Sequence, residues 1–304
     1  MGNELCGILC MNKPEGFTSF DVVAKLRGIL KTRKIGHTGT LDPMASGVLP
    51  VLVGAAAKAL DIMPNTDKGY DAGFKLGIST DTQDITGKVL NEKSASGISA
   101  EMISKEMKAF EGEIEQIPPM YSAVSVGGKR LYELARKGIE VERQPRRINV
   151  FRFELLDFNE ENAEGRARIF CSKGTYVRTL INDLGERLGC GAAMTSLVRT
   201  HACGFSLKDC TTFEELAGRE DFSDLLLPVE RLFDGLPKIV LSPPQARMYL
   251  NGVRLDLSRL SFSGFAERHA VWANGIFIGT ALPDIEKGML CAEKTFNRQG
   301  TFYD

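Results

Sequence analysis

The stretch GHTGTLDPMASGVLPV, residues 36–51, places three glycines, a histidine, an aspartate, two threonines and a serine directly before an apolar run. A chain carrying it has to set a tight polar turn at the mouth of a buried segment. The apolar run continues as VLPVLVGAAAKAL but is interrupted by Pro50 and Lys58. It is shorter than the roughly 20 apolar residues needed to cross a bilayer, so a membrane span is not expected. Three uses of Asp42 are open: part of a phosphate cradle, an acid, base or nucleophile, or an aspartate that merely caps the turn. Neither G-x-x-x-x-G-K-[ST] nor G-x-G-x-x-G is present, which weakens the first use. The second gains from the following proline, because Asp-Pro after Gly-Thr holds a short carboxylate at a rigid corner. On this motif alone the turn-capping use weighs more.

The flanking sequence supplies elements. CGILCMNK reads as a short buried strand, followed by a Pro-Gly turn and a helix entered through a capping box from Thr18 to Asp21. Val22, Val23, Leu26, Ile29 and Leu30 give that helix one apolar face, so Lys25, Arg27, Lys31, Arg33 and Lys34 point outward beside the glycine-rich turn. Residues 68–91 are expected as paired strands joined by STDTQDITG. Residues 99–111 are expected as a helix capped by Ser99, with Ile103, Met107 and Phe110 inward. An insertion-like segment, 117–147, starts with Ile-Pro-Pro, ends with Gln-Pro-Arg-Arg and has a middle, KRLYELARKG, that reads as one basic helix. Strands are expected at 148–158 and 166–172, then a helix over SKGTYVRTLINDLGERLG closed by Gly189. From about residue 236, short strand-like runs between Pro, Gly and Asn mark a small β-rich domain.

With 304 residues, 43% of them hydrophobic, the chain can bury one large core and a satellite. The N-terminal residues do not match a secretory signal. Seven cysteines without a C-x-x-C pair and three scattered histidines suggest neither a disulfide framework nor a metal site, and a cytoplasmic, metal-free protein is expected. The net charge of −1 hides segregation: residues 127–152 carry eight basic and three acidic side chains, residues 11–37 six and two, whereas residues 209–234 carry two basic and eight acidic. A neutral protein can thus present a basic face to a phosphate backbone, although charge alone supports a merely solvated surface about as well.

Tyr70, in DKGYDA, and Tyr176, in GTYVRT just before Arg178, set aromatic rings among cations, as stacking on an unpaired base would need. Singly, each also suits half-buried packing. Taken together, KPEGFTS (13–19), GHTGTLDPMASGVLPV (36–51), DKGYDA (67–72), PPMYSAVSVGGKRLYELARKG (118–138) and CSKGTYVRTLINDLGERLGCGA (171–192) strongly resemble the bacterial TruB family of tRNA pseudouridine-55 synthases. The likeness runs in order over roughly residues 5–235, and a weaker one continues into the C-terminal region, which is similar to the PUA-type RNA-binding appendage of that family.

The resemblance implies an α+β fold with a mixed, mostly antiparallel sheet flanked by helices. A catalytic domain would span residues 1–235 with a mobile thumb at 118–147, and a PUA-like domain residues 236–304. It implies isomerisation of one uridine in the TΨC loop of tRNA, with no cofactor, no metal, no obligate protein partner and a monomeric enzyme. Asp42 matches the essential carboxylate, Arg178 its partner, and Tyr70 the catalytic tyrosine that stacks on the target base and is a candidate to take a proton from the sugar, although a phenol of reference pKa about 10 needs help to act as a base. Tyr176 and Leu197 match further wall positions, His37 the residue that fills the space left by the flipped base, and Lys13 a structural or phosphate contact. One departure stands in Leu197-Val198-Arg199-Thr200, where the family often has a second arginine in place of Val198. A tRNA-binding module without chemistry and an RNA-guided synthase are the competing classes. An unrelated aspartate hydrolase lacks a water-activating partner in the sequence.

Overall fold

The computed structural model describes residues 5–262, 264 and 266–296; the first four and last eight residues of the expected domains lie outside them. The chain opens with β1 (Gly7–Lys13) and α1 (Ser19–Ile29), followed by β2 (Ile35–His37) and β3 (Ser46–Val53). The expected capping box forms: Asp21 N–H donates to Thr18 Oγ1 at 3.0 Å, and Thr18 N–H to Asp21 Oδ2 at 2.8 Å. Val22, Val23 and Leu26 are buried with Leu9, Met11, Leu49 and Val51, which leaves Lys25, Arg27, Lys31, Arg33 and Lys34 exposed.

A 3-10 stretch (Gly54–Asp61) leads to β4 (Lys68–Leu76), then a small hairpin of β5 (Ile78–Thr80) and β6 (Val89–Glu92). Next come α2 (Ala100–Lys108), capped by Ser99, and β7 (Gly112–Gln116). The insertion holds a second hairpin, β8 (Ser125–Val126) with β9 (Lys129–Arg130), and a five-residue helix, α3 (Leu131–Ala135). The single basic helix expected over KRLYELARKG is therefore corrected. Gly127 and Gly128, at φ 57° and 80°, make a hairpin turn that pulls Lys129 and Arg130 into a strand. The sheet resumes at β10 (Arg146–Asn159), so the two arginines expected at the end of the insertion begin a strand paired with β7.

β11 (Glu164–Cys171) precedes α4 (Val177–Arg187), β12 (Ala192–Ala202), β13 (Phe205–Ser206) and the short α5 (Phe213–Leu216). The helix expected from Ser172 begins five residues later, behind a turn, and Gly189 at φ 82° follows its cap as expected. The sheet order is β1-β3-β12-β4-β11-β10-β7, with β2 beside β3 and β13 beside β12. Among the described residues, β3 with β12 is the one parallel pair of this sheet. There Gly47 sits opposite Arg199 at φ 106°, and a Cβ on it would come within 2.3 Å of the Arg199 carbonyl oxygen. Only glycine permits that approach, which matters for the site described below.

A six-stranded sheet, β14 to β19, forms the C-terminal part: β14 (Lys238–Leu241), β15 (Leu255–Asp256), β16 (Ser261–Phe262), β17 (His269–Ala273), β18 (Ile276–Asp284) and β19 (Met289–Thr295), with α6 (Pro243–Leu250) against it. It does not stand apart. Phe233, at the end of the preceding segment, packs its ring 5.5 Å from those of Phe277 and Phe296, in a core that also holds Ile8, Val48 and Phe205. Lys58 donates to the Thr295 carbonyl and Arg268 to that of Ile62, each at 3.1 Å.

Candidate active site

The glycine-rich turn between β2 and β3 is held from several sides. The Arg199 side chain has no exposed surface; its guanidinium donates to the carbonyls of Val48 at 2.7 Å, Gly39 at 3.2 Å and Thr40 at 3.3 Å. Leu41 N–H donates to Ser19 Oγ at 2.8 Å, which ties the turn to the first residue of α1. Lys13 is likewise fully buried, and its ammonium donates to the carbonyls of Phe17, Pro14 and Pro43 at 2.6, 2.8 and 3.4 Å. Burial pushes Lys13 down to about 8 against the pull of Asp42. Lys13 thus occupies a structural position behind the turn, outside the cavity wall.

Asp42 projects from this fixed loop. Its carboxylate does not cap its own turn, the use that the motif alone favoured; it meets the Arg178 guanidinium instead. Arg178 Nε lies 2.8 Å from Asp42 Oδ2, and Nη2 donates to Oδ1 at 3.2 Å, a two-point pairing that fixes both groups in plane. Arg178 enters from the first turn of α4 and is 6% exposed. Its remaining donors reach the carbonyls of Thr82 and Tyr121, each at 3.0 Å, while buried Asp84 lies 3.7 Å from Nη1. The start of α4 is itself held by buried Gln116, whose side-chain amide accepts from Tyr176 N–H at 2.8 Å and donates to the Tyr176 carbonyl at 3.1 Å.

These groups surround a cavity of roughly 740 Å³ that brings together Asp42, Tyr70, Tyr176, Arg178 and Leu197, with Lys68, Asp84, Tyr121, Ser122, Tyr132 and Arg136 also in its wall. Tyr70 is on β4, in register with Ile169 of β11 and Arg199 of β12, and burial pushes its phenol up to about 12 although the Arg199 guanidinium pulls the other way. A hydroxyl held so far above neutral stays protonated, which suits a ring that stacks on a base better than a free proton acceptor. His37, at the end of β2, is not part of the wall. Burial and then Arg199 lower its pKa, and its Nδ1 is buried without a hydrogen-bond partner among the described residues. Val198 stands opposite Asp71, whose carboxylate is held by Arg168 through two bonds of 2.8 Å. No carboxylate is stranded there by the missing arginine.

Sequence reasoning missed Arg199, Asp84, Gln116, Tyr121 and Ser122. Arg199 carried the signal of a charged residue inside a largely apolar strand, whereas Asp84 sits in the polar turn between β5 and β6, and nothing in the sequence pairs it with a helix nearly a hundred positions away. Ser122 lines the cavity with a buried hydroxyl that has no hydrogen-bond partner among the described residues.

A family model described as "TruB family pseudouridylate synthase (N terminal domain)" matches residues 27–177, and one for the "tRNA pseudouridylate synthase B C-terminal domain" matches residues 178–234. A protein called tRNA pseudouridine synthase B from Bacillus licheniformis is 48% identical over 257 residues, which is 82% of this chain and 83% of that protein. The chain belongs to the TruB family of pseudouridylate synthases. A Clostridium kluyveri protein of the same name is 44% identical over 278 residues, 91% of this chain and 95% of the relative. Among solved structures, that of a Cbf5-Nop10-Gar1 complex superposes with a TM-score of 0.72 at 26% identity, covering 96% of this chain and 85% of that one. The TruB assignment carries the pseudouridine-synthase fold with it, and the extra six-stranded sheet is the PUA-like part expected from the sequence. Among the described residues no helix is long and apolar enough to cross a membrane.

Proposed function

We propose that the chain isomerises uridine to pseudouridine in tRNA, at position 55 of the TΨC loop, and does so in the cytoplasm as a monomer. The observation that carries this reading is the Asp42 carboxylate, held at both oxygens by Arg178 at the edge of a cavity with Tyr70 in its wall. About 740 Å³ is ample for a single nucleotide, within the usual range of roughly 300–1,000 Å³ for ligand sites. Relatives called tRNA pseudouridine synthase B, at 44–48% identity, weigh the substrate toward tRNA.

A uridine stacked in a folded loop has to swing out before its sugar can be reached, at a cost of about a few kcal/mol. In this reading Tyr70 and Leu197 receive the extruded base. His37, two residues before the cavity-lining Gly39, fills the place it leaves. The N1–C1′ bond then breaks, the uracil turns while held, C5 bonds to C1′, and the C5 hydrogen leaves as N1 gains a proton. Asp42 acts at C1′, at C6 or in assisting glycosidic cleavage, and each route needs a carboxylate that cannot swing away. Arg178, the Ser19 bond to Leu41 and the three carbonyl bonds of Arg199 supply that fixity. Asp42→Asn keeps the shape of the site, so tRNA affinity should stay within about a few-fold while turnover is abolished. A variant that still turns over would overturn the assignment of Asp42.

A further inference from the structure

Lys68 begins β4 two residues before Tyr70, on the same face of the strand, and lines the cavity. Its side chain runs past Gly39: a Cβ on that glycine would come 3.2 Å from Lys68 Cε. Three of the cations around it are committed, and a fourth that lines the cavity, Arg136, lies with its guanidinium 5.5 Å from the centre of the Tyr132 ring. Arg178 is held by Asp42, Asp84 and two carbonyls, while Arg199 and Lys13 are fully buried and bond three carbonyls each. Lys68 has three donors, yet among the described residues it makes a single hydrogen bond, of 3.2 Å to the Thr66 carbonyl, and forms no ion pair.

A half-buried ammonium without a counter-ion is an expensive arrangement. Burial and the neighbouring Arg199 lower the pKa of Lys68, in keeping with a charge held where it lacks solvation. An anion entering with the substrate would relieve it, and the anions that accompany a nucleotide in RNA are its phosphates. We propose that Lys68 receives a backbone phosphate adjoining the target uridine, which fixes the nucleotide at its phosphate while Tyr70 holds its base. This rests on reading the cavity as a uridine site.

The test is a two-way cycle on tRNA assembled with a single uncharged methylphosphonate at either phosphate flanking uridine 55, measured in affinity and in tritium release. Wild-type protein should lose at least about tenfold on one of the two neutral linkages, as expected for a charge-assisted hydrogen bond. Lys68→Met should lose a similar factor on native tRNA and nothing further on that neutral linkage, and its affinity should fall less steeply with salt by about one phosphate contact. Lys68→Arg, which keeps the charge should methionine disturb folding, should remain sensitive to the same linkage. Penalties that multiply independently, or wild-type indifference to both linkages, would overturn the proposal. Because the affinity cycle decides Lys68 even without turnover, an absence of tritium release by wild-type protein would count against the enzymatic reading and not against this contact.

Discussion

A carboxylate half open to a cavity would ordinarily sample several rotamers, but Asp42 meets Arg178 at both oxygens and springs from a loop whose backbone is bonded to Ser19, Lys13 and Arg199. The sequence showed Asp42, Tyr70 and Arg178 because they sit in motifs with distinctive neighbours. Lys68 stands in the same DKGYDA motif without drawing notice, since a lysine before a tyrosine looks the same whether it is solvated or turned into a cavity. His37 gives a prediction at this scale. Its folded pKa lies below the ordinary imidazole value, so between the two values the unfolded chain binds more protons and stability falls as pH drops. Urea melts between about pH 5.5 and pH 7.5 should show that slope, and His37→Gln should flatten it. An unchanged slope would mean the ring is charged as readily in the folded chain as in the unfolded one.

At the scale of elements, the parallel pair β3 and β12 is the piece on which the site depends. Gly47 lets the Arg199 backbone approach, and Arg199 in turn holds Gly39 and Thr40, so one glycine connects strand pairing to the position of Asp42. Gly47→Ala should destabilise the protein by at least about 2 kcal/mol in denaturant melts and lower turnover more than tRNA affinity. Equal losses in both would break the proposed link from glycine to turn. The elements themselves were largely legible: the capping box at Thr18, the Ser99 cap and the alternating strands of β10 and β11 follow from local pattern. The insertion was less so, because the apolar spacing of KRLYELARKG suits a helix while Gly127-Gly128 imposes a hairpin on its first two residues. The order of the central sheet was not legible at all, since β4 pairs with β11 and β12, strands far along the chain.

Across the whole molecule, charge is sorted along a chain of net charge −1, with an excess of basic residues over 11–37 and 127–152 and of acidic ones over 209–234. Arg146 and Arg147 are exposed at the base of the insertion, and the Arg147 pairing with Glu113 at 3.5 Å is a solvent-exposed one that binds little. Reversing both charges should weaken tRNA binding and make its salt dependence shallower, by about 0.7–0.9 in log–log slope for each phosphate no longer neutralised. An unaltered slope would place the electrostatic contact elsewhere. The C-terminal sheet was legible as a β-rich part, but its shared core with Phe233 and Phe205 depends on contacts that no local pattern encodes. In the proposed reaction Asp42 drives a rearrangement which expels the C5 hydrogen of one uridine. The most direct measurement is tritium release from unmodified tRNA carrying 5-tritiated uridine, with no cofactor added. One equivalent per tRNA, lost when position 55 is changed and lost in Asp42→Asn, is the predicted result. Binding without release, or release that survives Asp42→Asn, would contradict it.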